Sequence, residues 1–162
     1  MSKIRIGISS CLLGNNVRYD GGNKLDTYIL DIFGPGIEWV PVCPEVESGM
    51  PVPREPMQLV GDVFRPRLIT IETRRDRTDA LTGWIKTKVR ELEQSGLRGF
   101  VFKARSPCTP QLGAELFGTS AGRATGLFAE AVLRCFPSLP VEDEEGLRDV
   151  GKRKLFLSQI LL

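Results

Sequence analysis

The amino-acid sequence predicts an α/β fold with a mainly parallel β-sheet. Short apolar stretches with the alternation of β-strands recur along the chain, and stretches with helical spacing of apolar residues separate them. The 162 residues contain no internal repeat, low-complexity tract or clear linker. They are therefore expected to form one domain, which is long enough to bury a sizeable core.

The first half of the chain is predicted to contain two strands with a helix between them. A Gly- and Asn-rich loop follows the first strand, and Gly34-Pro35-Gly36 closes the helix. Residues 43–61 are rich in proline and are expected to form an irregular loop. The predicted elements are a strand at 3–9, a helix at 25–33 and a strand at 37–42.

The second half carries the clearest predicted helix, over about 78–94, with Gly96 at a position that suits its end. One stripe of this helix is apolar: Leu81, Ile85, Val89 and Leu92. Pro66 places the strand or hairpin predicted within 63–73 at a sheet edge. The other predictions are a strand at 97–104, a helix at 120–135, a short strand and turn at 136–146 and a last amphipathic helix at 146–161.

The composition excludes several kinds of chemistry. The chain has no histidine, which rules out Ser-His-Asp and Cys-His catalytic sets and His-ligated zinc. Acid–base chemistry then falls to Glu, Asp, Lys, Tyr or Cys. The net charge is +2, so the total charge by itself gives no large electrostatic field that would attract nucleic acid. The arginines between Arg65 and Arg77 are interpreted as a solvated face, with an RNA groove as the alternative.

The sequence predicts a cytoplasmic protein. No apolar run reaches the ~18 residues that a membrane helix requires, and the N-terminal stretch is too short and too polar for a signal peptide. The four cysteines are then expected to be free thiols, because the cytoplasm keeps them reduced.

Three of the cysteines follow predicted strands: Cys11, Cys43 and Cys108. Because the carboxyl ends of parallel strands lie at one edge of a sheet, these thiols are expected to meet at a shared site. Glu45 and Ser106 lie close to two of them and add a carboxylate and a hydroxyl. Cys135 shares a predicted helix with apolar residues and is expected to pack in the core.

Three converging thiolates favour an iron–sulfur cluster over zinc. Structural zinc takes four ligands and commonly uses Cys-x-x-Cys knuckles, which the chain lacks. A 4Fe–4S cluster normally takes four thiolates, so three would leave one iron with an exchangeable position. Such an iron can act as a Lewis acid, and sulfur is a fitting soft ligand for it. The carboxylate of Glu45 is then expected to handle a proton nearby.

Four segments stand out along the chain, and in order they read SSCLLG, VRYDGG, VCPEVESGMPVPR and KARSPC. Together they resemble the family of TudS-like thiouracil desulfidases, and the likeness extends from Ile4 to about Phe136. The family is described as a Rossmann-like α/β fold that removes sulfur from 2-thiouracil-type bases without net redox change. The resemblance implies a Rossmann-like three-layer domain that desulfurates a thiolated pyrimidine and releases sulfide.

The resemblance also implies roles for individual residues. The implied ligands of a 4Fe–4S cluster, a group easily lost in air, are Cys11, Cys43 and Cys108. The implied catalytic residues are Glu45, which activates water, and Ser106, which positions the base or hydrogen-bonds developing charge. The residues predicted to bind substrate are Ser10, Arg54 and Lys103, whereas Asp20 is expected to be a turn residue.

The last of the four segments departs from the family pattern. The family usually reads Ser-Pro-Ser-Cys-Gly, but this chain has Ser106-Pro107-Cys108-Thr109-Pro110. The thiol is displaced by one residue, which is about 3 Å in an extended chain. Either the loop compensates or Cys108 binds differently.

The tail from about 137 to 162 resembles the junction between this domain and a second, fused one. We expect residues 1–162 to form a single TudS-like domain with this tail as a C-terminal extension. Fused relatives are associated with thiouridine in tRNA, so tRNA joins a small thio-base as an expected partner. No membrane partner is expected.

Two other functions fit the same residues. One is a non-catalytic metal or iron–sulfur module that binds RNA through the Arg65 to Arg77 stretch. The other is a metal-free sulfur-transfer protein that uses Cys43 as its nucleophile. The second is chemically weaker, since an adjacent carboxylate tends to raise the pKa of a thiol.

Overall fold

The computed structural model describes residues 2–106, 114–117 and 122–162, and only the backbone of 114–117 and 122–124. The strands in these ranges are β1 (Ile4–Ser9), β2 (Ile37–Val42), β3 (Met57–Asp62), β4 (Arg65–Thr70), β5 (Gly99–Phe102), β6 (Ala114–Phe117), β7 (Gly122–Ala124) and β8 (Val141–Asp143). The helices are α1 (Thr27–Phe33), α2 (Pro44–Glu47), α3 (Thr78–Ser95), α4 (Leu127–Cys135) and α5 (Val150–Ile160).

The main sheet is parallel and has the strand order β2-β1-β5-β8. In β1, Ile6 lies between Trp39 of β2 and Gly99 of β5, and Ser9 is opposite Val42. The predicted α/β class with a mainly parallel sheet is confirmed. The register also brings the carboxyl ends of β1, β2 and β5 side by side.

Apolar side chains cover both faces of this sheet, which gives the three layers. One core cluster joins the sheet to α3 and α4, and its members include Phe100, Phe102, Leu81, Ile85 and Phe128. The other joins it to α1 and α5, and its members include Ile6, Ile8, Ile29, Phe156 and Ile160. The sheet thus has a rigid support on both sides.

A second sheet of four strands has the order β4-β3-β6-β7. Strand β3 pairs antiparallel with β4 and parallel with β6, and β6 pairs antiparallel with β7. Within it β4 is an edge strand, as Pro66 predicted. Leu59 and Leu68 of this sheet pack into the same core cluster as α3 and α4.

Two sequence-based predictions of elements were wrong. Residues 43–61 are not wholly irregular, because they contain α2, which starts at Pro44, and β3, which starts at Met57. Proline is well accommodated in the first helical turn, so the proline content concealed a short helix. The helix predicted at 120–135 begins only at Leu127, because strand β7 occupies Gly122–Ala124.

None of the helices in the described part of the chain is both long enough and apolar enough to cross a membrane.

Candidate metal and catalytic site

The carboxyl ends of β1, β2 and β5 surround a cavity of about 320 Å³. Residues that follow each of these strands line it, together with residues from the 17–19 and 54–57 segments. The lining residues with reactive or charged side chains include Cys11, Cys43, Glu45, Arg18, Arg54 and Lys103. Sequence segments that lie up to 97 positions apart, from Ser9 to Ser106, therefore contribute to one site.

Cys11 lies in a 3-10 turn, Ser10–Leu13, that directly follows β1. Its carbonyl accepts hydrogen bonds from the backbone N–H groups of Gly14 and Lys24, at 3.2 and 2.9 Å, which fixes the turn. Burial raises the pKa of the Cys11 thiol, while the positive charges of Arg18 and Lys103 oppose that rise. The site thus pairs a buried thiol with nearby cations.

Cys43 directly follows β2, and Glu45 lies in the first turn of α2. Both side chains are buried, and the Cys43 thiol donates to Oε2 of Glu45 at 3.6 Å. Burial, followed by the negative charge of Glu45, raises the pKa of the Cys43 thiol to about 12. In the metal-free protein this thiol therefore keeps its proton at neutral pH.

The third predicted ligand, Cys108, lies outside the described residues, as does the rest of its Pro107–Pro110 segment. Across 2–106, 114–117 and 122–162, no group of three or more His, Cys, Asp or Glu side chains is close enough to hold a metal ion. Cys11 and Cys43 are both free thiols on one cavity. Cys135 packs against the core, which confirms its structural assignment.

The donors around the cavity fit an anionic iron–sulfur group. Two free thiols line the cavity, and soft sulfur donors are the ligands that iron–sulfur clusters take. Nε of Arg18 and Nε of Arg54 are buried, and neither has a hydrogen-bond partner within the described part of the chain. Buried donors of this kind are costly unless a bound group satisfies them, so the cavity offers positive charge to a ligand.

The predicted substrate-binding residues lie around the same cavity. Ser10 is buried, and its Oγ accepts a hydrogen bond from Nδ2 of Asn15 at 2.8 Å. Arg54 donates from Nη2 to the carbonyl of Val17 at 2.9 Å, which ties two walls of the cavity together. Ser106, the predicted catalytic serine, also lines the cavity and follows β5.

Lys103 is held by a residue that sequence reasoning missed. Its Nζ lies 3.1 Å from Oε1 of Glu144, and both side chains are largely buried. The same carboxylate accepts the backbone N–H of Ala104 at 2.8 Å. Burial raises the pKa of Glu144, an effect that Lys103 counteracts. Because Glu144 directly follows β8, the strand-end rule that located the cysteines could have found it.

The remaining predicted residues lie elsewhere. Asp20 is exposed and accepts the backbone N–H of Gly22 at 2.9 Å, which confirms it as a turn residue. In the arginine-rich stretch, Arg67 forms ion pairs with Asp76 and Asp79, at 2.8 and 3.5 Å. Carboxylates thus neutralise part of that stretch.

Comparison with known proteins identifies the family. The model of the 2-thiouracil desulfurase family matches residues 6–144. The chain belongs to this family. A solved structure described as the [4Fe–4S]-dependent thiouracil desulfidase TudS matches with a TM-score of 0.74 and 27% sequence identity. The match covers 99% of this chain and 100% of that one. None of the curated proteins compared with the chain matches it significantly.

Proposed function

We propose that the chain is an iron–sulfur-dependent enzyme that desulfurates a thiolated pyrimidine, such as 2-thiouracil or a related thionucleoside. The pairing of two buried thiols with the carboxylate of Glu45 in one cavity carries this proposal. Family membership supports it, as does the likeness to a [4Fe–4S]-dependent thiouracil desulfidase. In the reaction, water adds to the thiocarbonyl carbon, the C–S bond breaks, and an oxo-base and hydrogen sulfide form without oxidation or reduction.

Cys11 and Cys43, with Cys108 from outside the described residues, would hold the cluster. When bound through three thiolates, it supplies a Lewis-acidic iron with a position open to the sulfur of the substrate. The Arg18 side chain, with its unsatisfied Nε, would offset the negative charge of the thiolates. Each thiol must lose its proton to become a ligand.

Glu45 is the proposed general base. Its Oε2 accepts a hydrogen bond from the Cys43 thiol, and deprotonation of that thiol would leave the oxygen without this donor. The carboxylate could then take a proton from water and return it to the departing sulfur. The backbone of Glu45 is fixed for this task, because its carbonyl accepts Met50 N at 3.0 Å and Ser48 Oγ at 3.0 Å.

Ser106 would donate a hydrogen bond to charge that develops on the pyrimidine. Ser10, Arg54 and Lys103 would orient the ring, since all three line the cavity. A cavity of about 320 Å³ has room for a small base next to a metal group. We propose thiouridine in tRNA as a second substrate, because the tail from about 137 to 162 resembles the junction found in fused relatives.

The two alternatives have weaker support. A metal-free sulfur-transfer reaction needs a thiolate, but the raised pKa of Cys43, about 12, keeps that thiol protonated at neutral pH. An RNA-binding module that uses the Arg65 to Arg77 stretch needs free cations, but carboxylates engage Arg67, one of the five arginines in that stretch.

The proposal is tested by anaerobic reconstitution with iron and sulfide, followed by measurement of sulfide release from 2-thiouracil. Glu45→Gln keeps the shape of the side chain but removes the base. We expect it to lower turnover by about 100-fold or more and to leave the visible absorbance of the cluster intact.

The control variant is Glu38→Gln, which changes a half-exposed carboxylate on the neighbouring strand β2. It should release sulfide at the wild-type rate. Full activity of protein without iron would favour the metal-free alternative. Undiminished sulfide release by Glu45→Gln would remove Glu45 from the mechanism.

A further inference from the structure

Glu47 contacts both backbone groups of Cys43. Its Oε2 accepts the Cys43 N–H at 2.8 Å, and its own N–H donates to the Cys43 carbonyl at 2.9 Å. Cys43 directly follows β2, which is an edge strand of the main sheet, so only one neighbouring strand supports this end of the chain. The carboxylate of Glu47 therefore supplies a restraint that the sheet does not provide.

A buried lysine of another element holds that carboxylate. Nζ of Lys88, on α3, lies 3.0 Å from Oε1 of Glu47, and the lysine side chain is only 10% exposed. Its second ion pair, at 3.4 Å, is with Glu91 on the same helix, whose side chain is 67% exposed. One oxygen of Glu47 thus bonds Lys88 while the other bonds Cys43.

We propose that Lys88 and Glu47 are positioning residues that fix the Cys43–Glu45 turn relative to the helix α3. This inference rests on the proposed function of that turn. Helix α2 has only four residues and cannot hold itself in place by its own hydrogen bonds. Helix α3 has 18 residues and is anchored in the core through Leu81, Ile85, Val89 and Leu92. The ion pair transfers that rigidity to a proposed metal ligand and a proposed base.

The burial of Lys88 makes its ion pair with Glu47 a stronger restraint than a fully exposed ion pair would be. Exposed pairs contribute little, because water and salt screen them. If the largely buried ammonium of Lys88 lost Glu47, it would keep only the longer ion pair with the exposed Glu91, so the Lys88–Glu47 pair resists separation. Neither residue contacts the cavity, and we expect no direct part for them in the reaction.

The experiment compares Lys88→Met and Glu47→Ala with two controls. Lys88→Arg keeps the cation, and Glu91→Gln removes the exposed partner that does not contact Cys43. The first readout is hydrogen exchange of the Cys43 amide in the metal-free protein, followed by ¹⁵N NMR. The second is the rate at which a chelator removes iron from anaerobically loaded protein. The third is kcat and KM for 2-thiouracil.

We expect Lys88→Met and Glu47→Ala to speed exchange of the Cys43 amide about tenfold, to speed iron loss and to lower kcat with little change in KM. Lys88→Arg should restore most of the protection, and Glu91→Gln should match wild type. Exchange within twofold of wild type in both Lys88→Met and Glu47→Ala would overturn the inference. The side chain of Glu47 is about one third exposed, so Glu47→Ala remains informative should Lys88→Met fail to fold.

The readouts separate this inference from the proposed function. If wild-type protein releases no sulfide from 2-thiouracil, the proposed function fails, but amide exchange and iron retention still decide whether Lys88 and Glu47 position Cys43. If sulfide release is normal and the Cys43 amide is unaffected in both variants, the function stands and the positioning role falls.

Discussion

The thiol of Cys43 and the carboxylate of Glu45 are buried together 3.6 Å apart, and both features of this environment act on the thiol. Burial disfavours the thiolate, and the neighbouring negative charge disfavours it further, so the pKa of the thiol rises to about 12. An isolated cysteine nucleophile would benefit from the opposite environment. A thiol that is deprotonated by metal binding can tolerate burial next to a carboxylate, because the metal supplies the compensating charge.

The raised pKa predicts the pH dependence of Cys43 reactivity in metal-free protein. Only the thiolate reacts with iodoacetamide, so the rate should increase about tenfold per pH unit from pH 7 to 10. An ordinary thiol levels off above its pKa of about 8.5. Burial, the larger cause of the raised pKa, remains in Glu45→Gln, but the variant removes the second cause, the negative charge, and should speed alkylation at pH 8. Peptide mass spectrometry measures the rate, and a plateau at Cys43 near pH 8.5 would contradict the assigned environment.

Individual site residues differ in how far the sequence could reveal them. Cys11 and Cys43 follow strands of one parallel sheet, so local patterns and one topological rule suffice to bring them together. The contact between Glu47 and Lys88 joins residues 41 positions apart on two helices, and no periodicity specifies it. Its existence depends on how α2 and α3 pack, which only the folded chain determines.

The elements were predictable where one pattern dominated. Strand β2 and helix α3 have clear periodicity, and the structure places them within one or two residues of the predictions. Short α2 and β3 were missed because the prolines around them resemble a loop. The helix predicted at 120–135 was placed too early, because the short strand β7 precedes α4 and was not recognised in the sequence.

Strand β1 shows how tightly an element of the main sheet is packed. A Cβ added to Gly7 would lie 2.3 Å from the ring of Phe100, its partner on β5. That ring stacks on Phe102 with centroids 4.5 Å apart, so it has little freedom to move away. Gly7→Ala should therefore lower the free energy of unfolding, by roughly 1–3 kcal/mol.

Gly83 provides the matched control for this prediction. It lies on the exposed side of α3, and an added Cβ would meet no atom within 4 Å. Gly83→Ala should raise the free energy of unfolding by up to about 1 kcal/mol, because alanine loses less entropy in a helix. Urea denaturation of both variants measures the two effects. A neutral Gly7→Ala would show that the β1–β5 contact can relax.

At the scale of the whole molecule, one core cluster unites the two sheets. Leu59 and Leu68 of the second sheet pack in the same cluster as Phe100 and Phe102 of the main sheet. The opposite face of the main sheet packs on a separate cluster, yet β2 and β5 contribute side chains to both clusters, as Phe100 and Val101 of β5 show. A loss of packing in the second sheet should therefore also destabilise the side of the main sheet that packs on α1 and α5.

This shared sheet predicts a single cooperative unfolding transition that two tryptophans can report. Trp39 packs on the α1–α5 side, where its ring lies 5.2 Å from Phe33, and Trp84 packs on the α3–α4 side. Trp84→Phe and Trp39→Phe each leave one reporter, and their fluorescence midpoints should respond equally to a destabilising change. Leu68→Ala removes fully buried side-chain atoms from β4 and should cost roughly 2–5 kcal/mol. We expect it to lower both midpoints by the same amount, because a two-state domain loses all its packing at once. If Leu68→Ala moved the Trp84 transition and left that of Trp39 at its original midpoint, the two sides of the sheet would unfold independently.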